Sequence, residues 1–230
     1  MTLEPPLSLL PRQIAALVWK DLTLELRTRE AITAMVVFAV MAIVMFNFAL
    51  RLRVDAFRPL APGIVWVTLV FAGTLGLSRS LSTEQVNQCL DGLLLAPCDR
   101  SAIFVGKALS NLAFTLLTAL LVLPLSAILL DEGLIQPGVW LTVALGAAGY
   151  AGAGTLIATM AASTRAREVF LPILLFPIAL PLLVASVIAT SGFLDRLPLG
   201  EFGSWIGMQV AFIVIFWTAG VLLFEYLVEG

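Results

Sequence analysis

An all-α, polytopic membrane protein is the fold class that this sequence predicts, and three observations carry it. Of 230 residues, 60% are apolar and 12% charged, with a mean hydropathy of +1.05, whereas soluble domains run roughly 45–50% apolar and 25% charged. Six runs are long and apolar enough to cross a bilayer, each near the roughly 20 residues a spanning helix needs. The connections are short except one, so no separate soluble domain remains: residues 1–230 read as one transmembrane domain.

The elements follow in chain order. Before the first span lies RQIAALVWKDLTLELRTRE, residues 12–30, in which Ile14, Val18, Leu22 and Leu26 recur every four residues with Leu17 beside them. Glu25 and Arg29 form an i,i+4 pair in the favourable order. This spacing predicts an amphipathic helix lying in the inner interface with Trp19 at headgroup level; the alternative is a cytosolic extension of the first span. The spans are predicted at about 31–50, 60–77, 108–130, 139–162, 169–190 and 204–227.

Loop charge sets the expected orientation. With the N-terminus inside, inner segments hold Arg12, Lys20, Arg27, Arg29, Arg79, Arg100, Lys107, Arg165 and Arg167, against Arg51, Arg53, Arg58 and Arg196 outside. Nine against four places both termini in the cytoplasm. No signal peptide is expected, because acidic and basic residues mix through the first thirty positions.

Most chemistry is excluded by residue inventory. The chain has no His, which removes His bases, His metal ligands and axial haem His from this chain. Cys89 and Cys98 are nine apart, matching neither a CxxC pair nor a haem-attachment motif, and read as unpaired small residues. A net charge of −2 offers nucleic acid no basic footprint. No G-x-S-x-G or G-x-x-x-x-G-K-[ST] motif occurs, so no catalytic or metal residue is assigned, and any ATP hydrolysis belongs to another chain. Mid-span carboxylates are missing as well: Asn47 and Glu225 lie near span ends, while Arg79 and Glu168 bound spans.

Three features remain. Small residues four apart, Ala72 with Gly76 and Ala148 with Gly152, permit close helix approach; intrachain packing is the plainer reading, a subunit contact the other. The fifth span carries Pro172, Pro177 and Pro181, which predict a kinked or broken helix and a candidate hinge. The long loop SLSTEQVNQCLDGLLLAP, residues 80–97, has Ser82 and Gln85 in capping-box spacing, then Val86, Cys89, Leu90, Leu93 and Leu94 at helical spacing, closed by Pro97. A short amphipathic helix there suits either a partner's groove, with Glu84 and Asp91 at its rim, or the membrane surface.

These residues resemble the CcmB family, the permease subunits of the cytochrome c maturation haem exporter, within the type-2 ABC exporter superfamily. The matching pieces are KDLTLELRTRE, LAPGIVWVTLVFAG, STEQVNQCLDGLLLAP and PILLFPIALPLLVAS. The resemblance implies a multi-pass protein of the bacterial inner membrane whose residues 12–30 form an elbow helix. It implies that residues 84–97 form a coupling helix, seated by Glu84, Val86, Leu90, Asp91, Leu93, Leu94 and Pro97 in an ABC ATPase subunit. Further implied partners are the haem-handling membrane subunits, with a second copy of the chain as another candidate. ATP would sit on the ATPase and haem would be handled by the complex, leaving no cofactor on this chain. ATP hydrolysis would drive release of the haem-loaded periplasmic chaperone. The competing readings are an exporter permease for a glycan, lipid or drug, and an ATP-independent substrate-capture subunit.

Overall fold

The computed structural model describes residues 10–51, 59–86, 99–130, 133–162 and 167–229. Among them the chain forms α1 (Leu10–Thr28), α2 (Glu30–Arg51), α3 (Ala61–Val86), α4 (Arg100–Leu130), α5 (Pro137–Ala162), α6 (Arg167–Leu194) and α7 (Leu199–Glu229). The described residues contain no strand. Helices α2 to α7 are each long and apolar enough to cross a membrane, so the chain is a multi-pass membrane protein.

Helix α5 is the hub, and its glycines explain why. In its most apolar stretch 78% of residues are buried, against 17% in α7. Gly146 faces the Trp66 indole of α3, Gly149 faces Leu182 of α6 and Phe212 of α7, and Gly154 faces Leu77 of α3. A Cβ at Gly152 would lie 2.6 Å from the Trp217 ring of α7, and the indole Nε1 of Trp217 donates to the Ala148 carbonyl at 2.9 Å. The Ala148–Gly152 pair is therefore a notch filled by Trp217 of the same chain. Gly76, the partner of Ala72, likewise receives Met35 of α2. Both small-residue pairs serve intrachain packing.

Several predicted boundaries change, α6 running on to Leu194 and α7 starting at Leu199 among them, and three have a visible physical cause. Helix α3 does not stop at residue 77; it continues to Val86, so Ser82 and Gln85 stand inside a helix rather than capping a new one. Residues 78–86 contain neither Gly nor Pro, and a propagating helix needs a breaker to end. Helix α4 starts eight residues before the predicted 108, because Asp99 caps it: its carboxylate accepts from the Ser101 amide at 2.9 Å and the Ser101 hydroxyl at 2.7 Å. Finally, α1 ends at Thr28 and Arg29 turns with φ 56°. The expected Glu25–Arg29 pair gives way to a different contact, in which Glu25 Oε1 accepts from the Ile32 amide at 2.7 Å and caps the start of α2.

The other end of the bundle closes on side-chain caps. Asn47 of α2 donates from Nδ2 to the Leu129 carbonyl in the last turn of α4, a group the helix itself cannot pair. Helix α6 ends in a left-handed turn at Arg196, φ 53°. There the Leu197 amide donates to the Gly192 carbonyl and the Arg196 amide to Phe193, the pattern of a Schellman cap.

Candidate functional site

Two regions hold the residues singled out from the sequence: the end where α1 packs beside α4 and residues 87–98 connect α3 to α4, and the proline-bearing helix α6. At the first of these, α1 lies along α4. Leu17, the one buried residue of α1, packs against Gly106 and joins Ile103, Phe104, Leu156 and Phe224 in one apolar cluster. The Gln13 side chain of α1 accepts from the Asp99 amide at 3.3 Å. Thus α1 grips the residue that both ends the connecting segment and caps α4, while Trp19 and Leu26 on its other side are exposed.

Of the predicted docking residues, Glu84 and Val86 fall in the last turn of α3. Leu90, Asp91, Leu93, Leu94 and Pro97 lie outside the described residues, as do Cys89 and Cys98. The structure fixes the anchors on either side of the segment: the end of α3 and the capped start of α4.

Helix α6 keeps Pro172, Pro177 and Pro181 inside one continuous helix, so it is not broken. Its buried stripe is Leu171, Leu175, Ala179 and Leu182, which leaves Pro177 and Pro181 on the exposed side. Each proline lacks an N–H for the carbonyl four residues earlier, here those of Ile173 and Pro177. Pro177 and Pro181 therefore lie off the packed face of the helix, while Pro172 is half-buried.

Past the prolines, α6 is clamped by a buried polar network that ionisable-residue reasoning does not find. Trp66 Nε1 donates to Thr190 Oγ1 at 2.9 Å, and Thr190 and Thr142 hydroxyls meet at 3.1 Å. Gln209 Nε2 donates to Ser186 Oγ at 2.7 Å and to the Thr142 carbonyl at 3.2 Å. These contacts tie α3, α5, α6 and α7 together, and Gln209 is fully buried with Oε1 unpaired in the structure. A second polar joint links α3 to α5, where Thr74 Oγ1 and Tyr150 OH approach to 2.6 Å and Tyr150 OH donates to the Val70 carbonyl at 3.1 Å. The sequence signals were Ser186 and Thr190 one turn apart and an amide, Gln209, in an apolar run. Among the described residues no three of His, Cys, Asp or Glu gather as metal ligands.

Comparison with known proteins is consistent along the chain. The model of the CcmB protein family matches residues 12–222. A protein of Rhodobacter capsulatus described as heme exporter protein B is 28% identical over 172 residues, covering 74% of this chain and 78% of the relative. Proteins of the same description from Pseudomonas aeruginosa and Haemophilus influenzae are 24% and 22% identical. They cover 80% and 76% of this chain, and 83% and 81% of themselves.

Proposed function

The chain belongs to the CcmB protein family, and from that premise we propose that it is the membrane permease subunit of an ATP-driven haem exporter serving cytochrome c maturation. The observation that carries this reading is a family match spanning residues 12–222 on a chain with six helices long and apolar enough to cross a membrane. The chain is a transporter component and not an enzyme; ATP is hydrolysed on a partner ATPase. Hydrolysis there is coupled, through this subunit, to release of the haem-loaded periplasmic chaperone. The protein resides in the bacterial inner membrane with both termini cytoplasmic, as the nine-to-four loop charge supports.

The ATPase docks at the elbow end. Residues 84–97 supply the contact, with Val86, Leu90, Leu93, Leu94 and Pro97 as the apolar side and Glu84 and Asp91 as the rim. Three physical features support this placement: the segment is the longest connection between spans, it starts directly from α3, and it ends at an Asp99 held by α1. The proline face of α6 supports a larger assembly. Exposed carbonyls without partners are costly in hydrocarbon, so the face carrying Pro177 and Pro181 calls for cover by protein, in a second copy or a haem-handling subunit. No cofactor is assigned to this chain; haem is handled within the complex.

Deleting the gene should abolish maturation of c-type cytochromes, and an unchanged cytochrome content would overturn the haem reading. Leu90→Ala with Leu94→Ala should abolish co-purification of the ATPase while the protein still reaches the membrane. Truncating a buried anchor costs about 2 kcal/mol or more, roughly thirtyfold in affinity. Undiminished capture would move the docking surface elsewhere.

A further inference from the structure

Tyr150, which joins α3 to α5 through Thr74, also lines a cavity inside the bundle. The cavity lies where α2, α3, α4 and α5 meet, among Met35, Gly73, Gly76, Asn111, Thr115 and Tyr150. All of these except Asn111 are buried. Two glycines bring its walls together: a Cβ at Gly73 would lie 2.8 Å from the Tyr150 ring, and one at Gly76 would lie 2.5 Å from the Met35 sulfur. The space left for the centre of a water molecule is about 10 Å³, room for one and not for two.

The hydroxyl oxygens around this space have spare acceptor capacity and no proton left to give. Thr115 Oγ1 donates to the Asn111 carbonyl at 2.9 Å, and Tyr150 OH donates to the Val70 carbonyl at 3.1 Å. A hydroxyl carries one proton and two lone pairs, so toward the cavity each can only accept. Asn111 spends one Nδ2 proton on Thr155 Oγ1 at 2.9 Å, and its amide keeps a second. None of the described lining residues is charged. Two acceptors and one donor around a neutral space of this size match a single molecule with two protons and free lone pairs. Polar cavities large enough for water hold it, whereas those that stay dry are apolar.

We propose that this cavity binds one water molecule, held by Asn111, Thr115 and Tyr150. The water donates to the Thr115 and Tyr150 hydroxyl oxygens and accepts from Asn111 Nδ2, a complement of about three bonds that is usual for a buried water. It links the Asn111–Thr155 pair of α4 and α5 to the Thr74–Tyr150 pair of α3 and α5, so that one polar seam crosses three helices. The site is built from this chain alone and stands whether or not the transported species is haem.

The test is X-ray radiolytic footprinting of the full-length protein in lipid nanodiscs equilibrated with heavy-oxygen water. The pulse turns water into hydroxyl radical where it stands, so a bound water marks the rings beside it. Tyr150 and Phe114, which also lines the cavity, should take up the label although they are only 3% and 5% exposed. Phe104 and Phe224, fully buried in a different cluster, should not. Asn111→Leu should cut labelling of Phe114 and Tyr150 about fivefold, the change that losing one hydrogen bond produces, with the exposed Phe48 unchanged. Thr115→Val, nearly the same in shape, should act in the same direction with less disturbance of the packing. Phe114 and Tyr150 as unlabelled as Phe104, or labelling undiminished in both variants, would overturn the proposal.

Discussion

Adding one methyl group at Gly146 should destabilise the half of the bundle built around Trp66 and Thr190. A Cβ there would lie 2.1 Å from Trp66 Cη2, 2.7 Å from Cζ3 and 2.9 Å from Ser186 Oγ, all far inside van der Waals contact. The indole cannot slide away cheaply. It is 3% exposed, and its opposite edge is fixed by the 2.9 Å hydrogen bond to Thr190. Overpacking of this kind costs about 1–3 kcal/mol, and a strained or broken interhelical hydrogen bond adds about 0.6–1.7 kcal/mol in a membrane protein. The expected loss for Gly146→Ala is therefore about 2–4 kcal/mol. At roughly 2–4 °C per kcal/mol for a chain of this size, the unfolding midpoint in detergent should fall by about 4–16 °C. Gly207→Ala is the matched control, because nothing lies within 4 Å of its Cβ position; it should hold or raise the midpoint. Trp66→Phe combined with Gly146→Ala should recover part of the loss by removing the ring atoms that clash. A Gly146→Ala protein as stable as the wild type, or a double variant no better than the single, would refute the steric argument.

Other perturbations test the remaining contacts. Asp99→Ala removes the cap of α4 and should cost about 1 kcal/mol, read as a lower unfolding midpoint together with faster hydrogen exchange at Ser101. Pro177→Ala with Pro181→Ala should leave insertion intact, since both are exposed on the packed chain, yet impair cytochrome maturation; normal maturation would reduce these prolines to packing features. A reporter fused after Gly230 should read cytoplasmic and one placed between Asp131 and Pro137 periplasmic. The reverse pattern at either position would break the proposed orientation.

The six spans were legible because each is a long apolar run, a property that needs no tertiary knowledge. Their ends were not. Arg100, Ser101 and Lys107 lower the hydropathy of residues 100–107, yet Ile103 and Phe104 there are fully buried and Asp99 begins the helix, so packing and a cap override composition. The Ser82 capping signal failed for the opposite reason: a local motif is silent when a helix already running has nothing to stop it. Intramembrane chemistry was sought among charged groups, whereas the structure binds its helices with hydroxyls, an indole and one amide. Such residues carry little weight in a hydropathy average, and their partners lie up to 124 positions away in sequence.

The continuity of α3 bears on how a signal could cross the protein. At 1.5 Å per residue, its 26 residues span about 39 Å. Its last turn holds Glu84 and Val86, next to the proposed docking segment. About one and a half turns before Arg79, the end of the spanning stretch, Thr74 engages Tyr150 of α5, and near the far end Trp66 engages Thr190 of α6. Because α3 runs unbroken from Ala61 to Val86, a displacement at Val86 is carried to both polar joints. Helix α6 divides at the same level, with Ser186 and Thr190 clamped on one side and the exposed prolines on the other. In the proposed exporter, force from the ATPase thus enters along α3, bears on the clamped half of α6 through Trp66, and leaves the proline half, whose carbonyl ladder is already interrupted, as the part of the helix that bends.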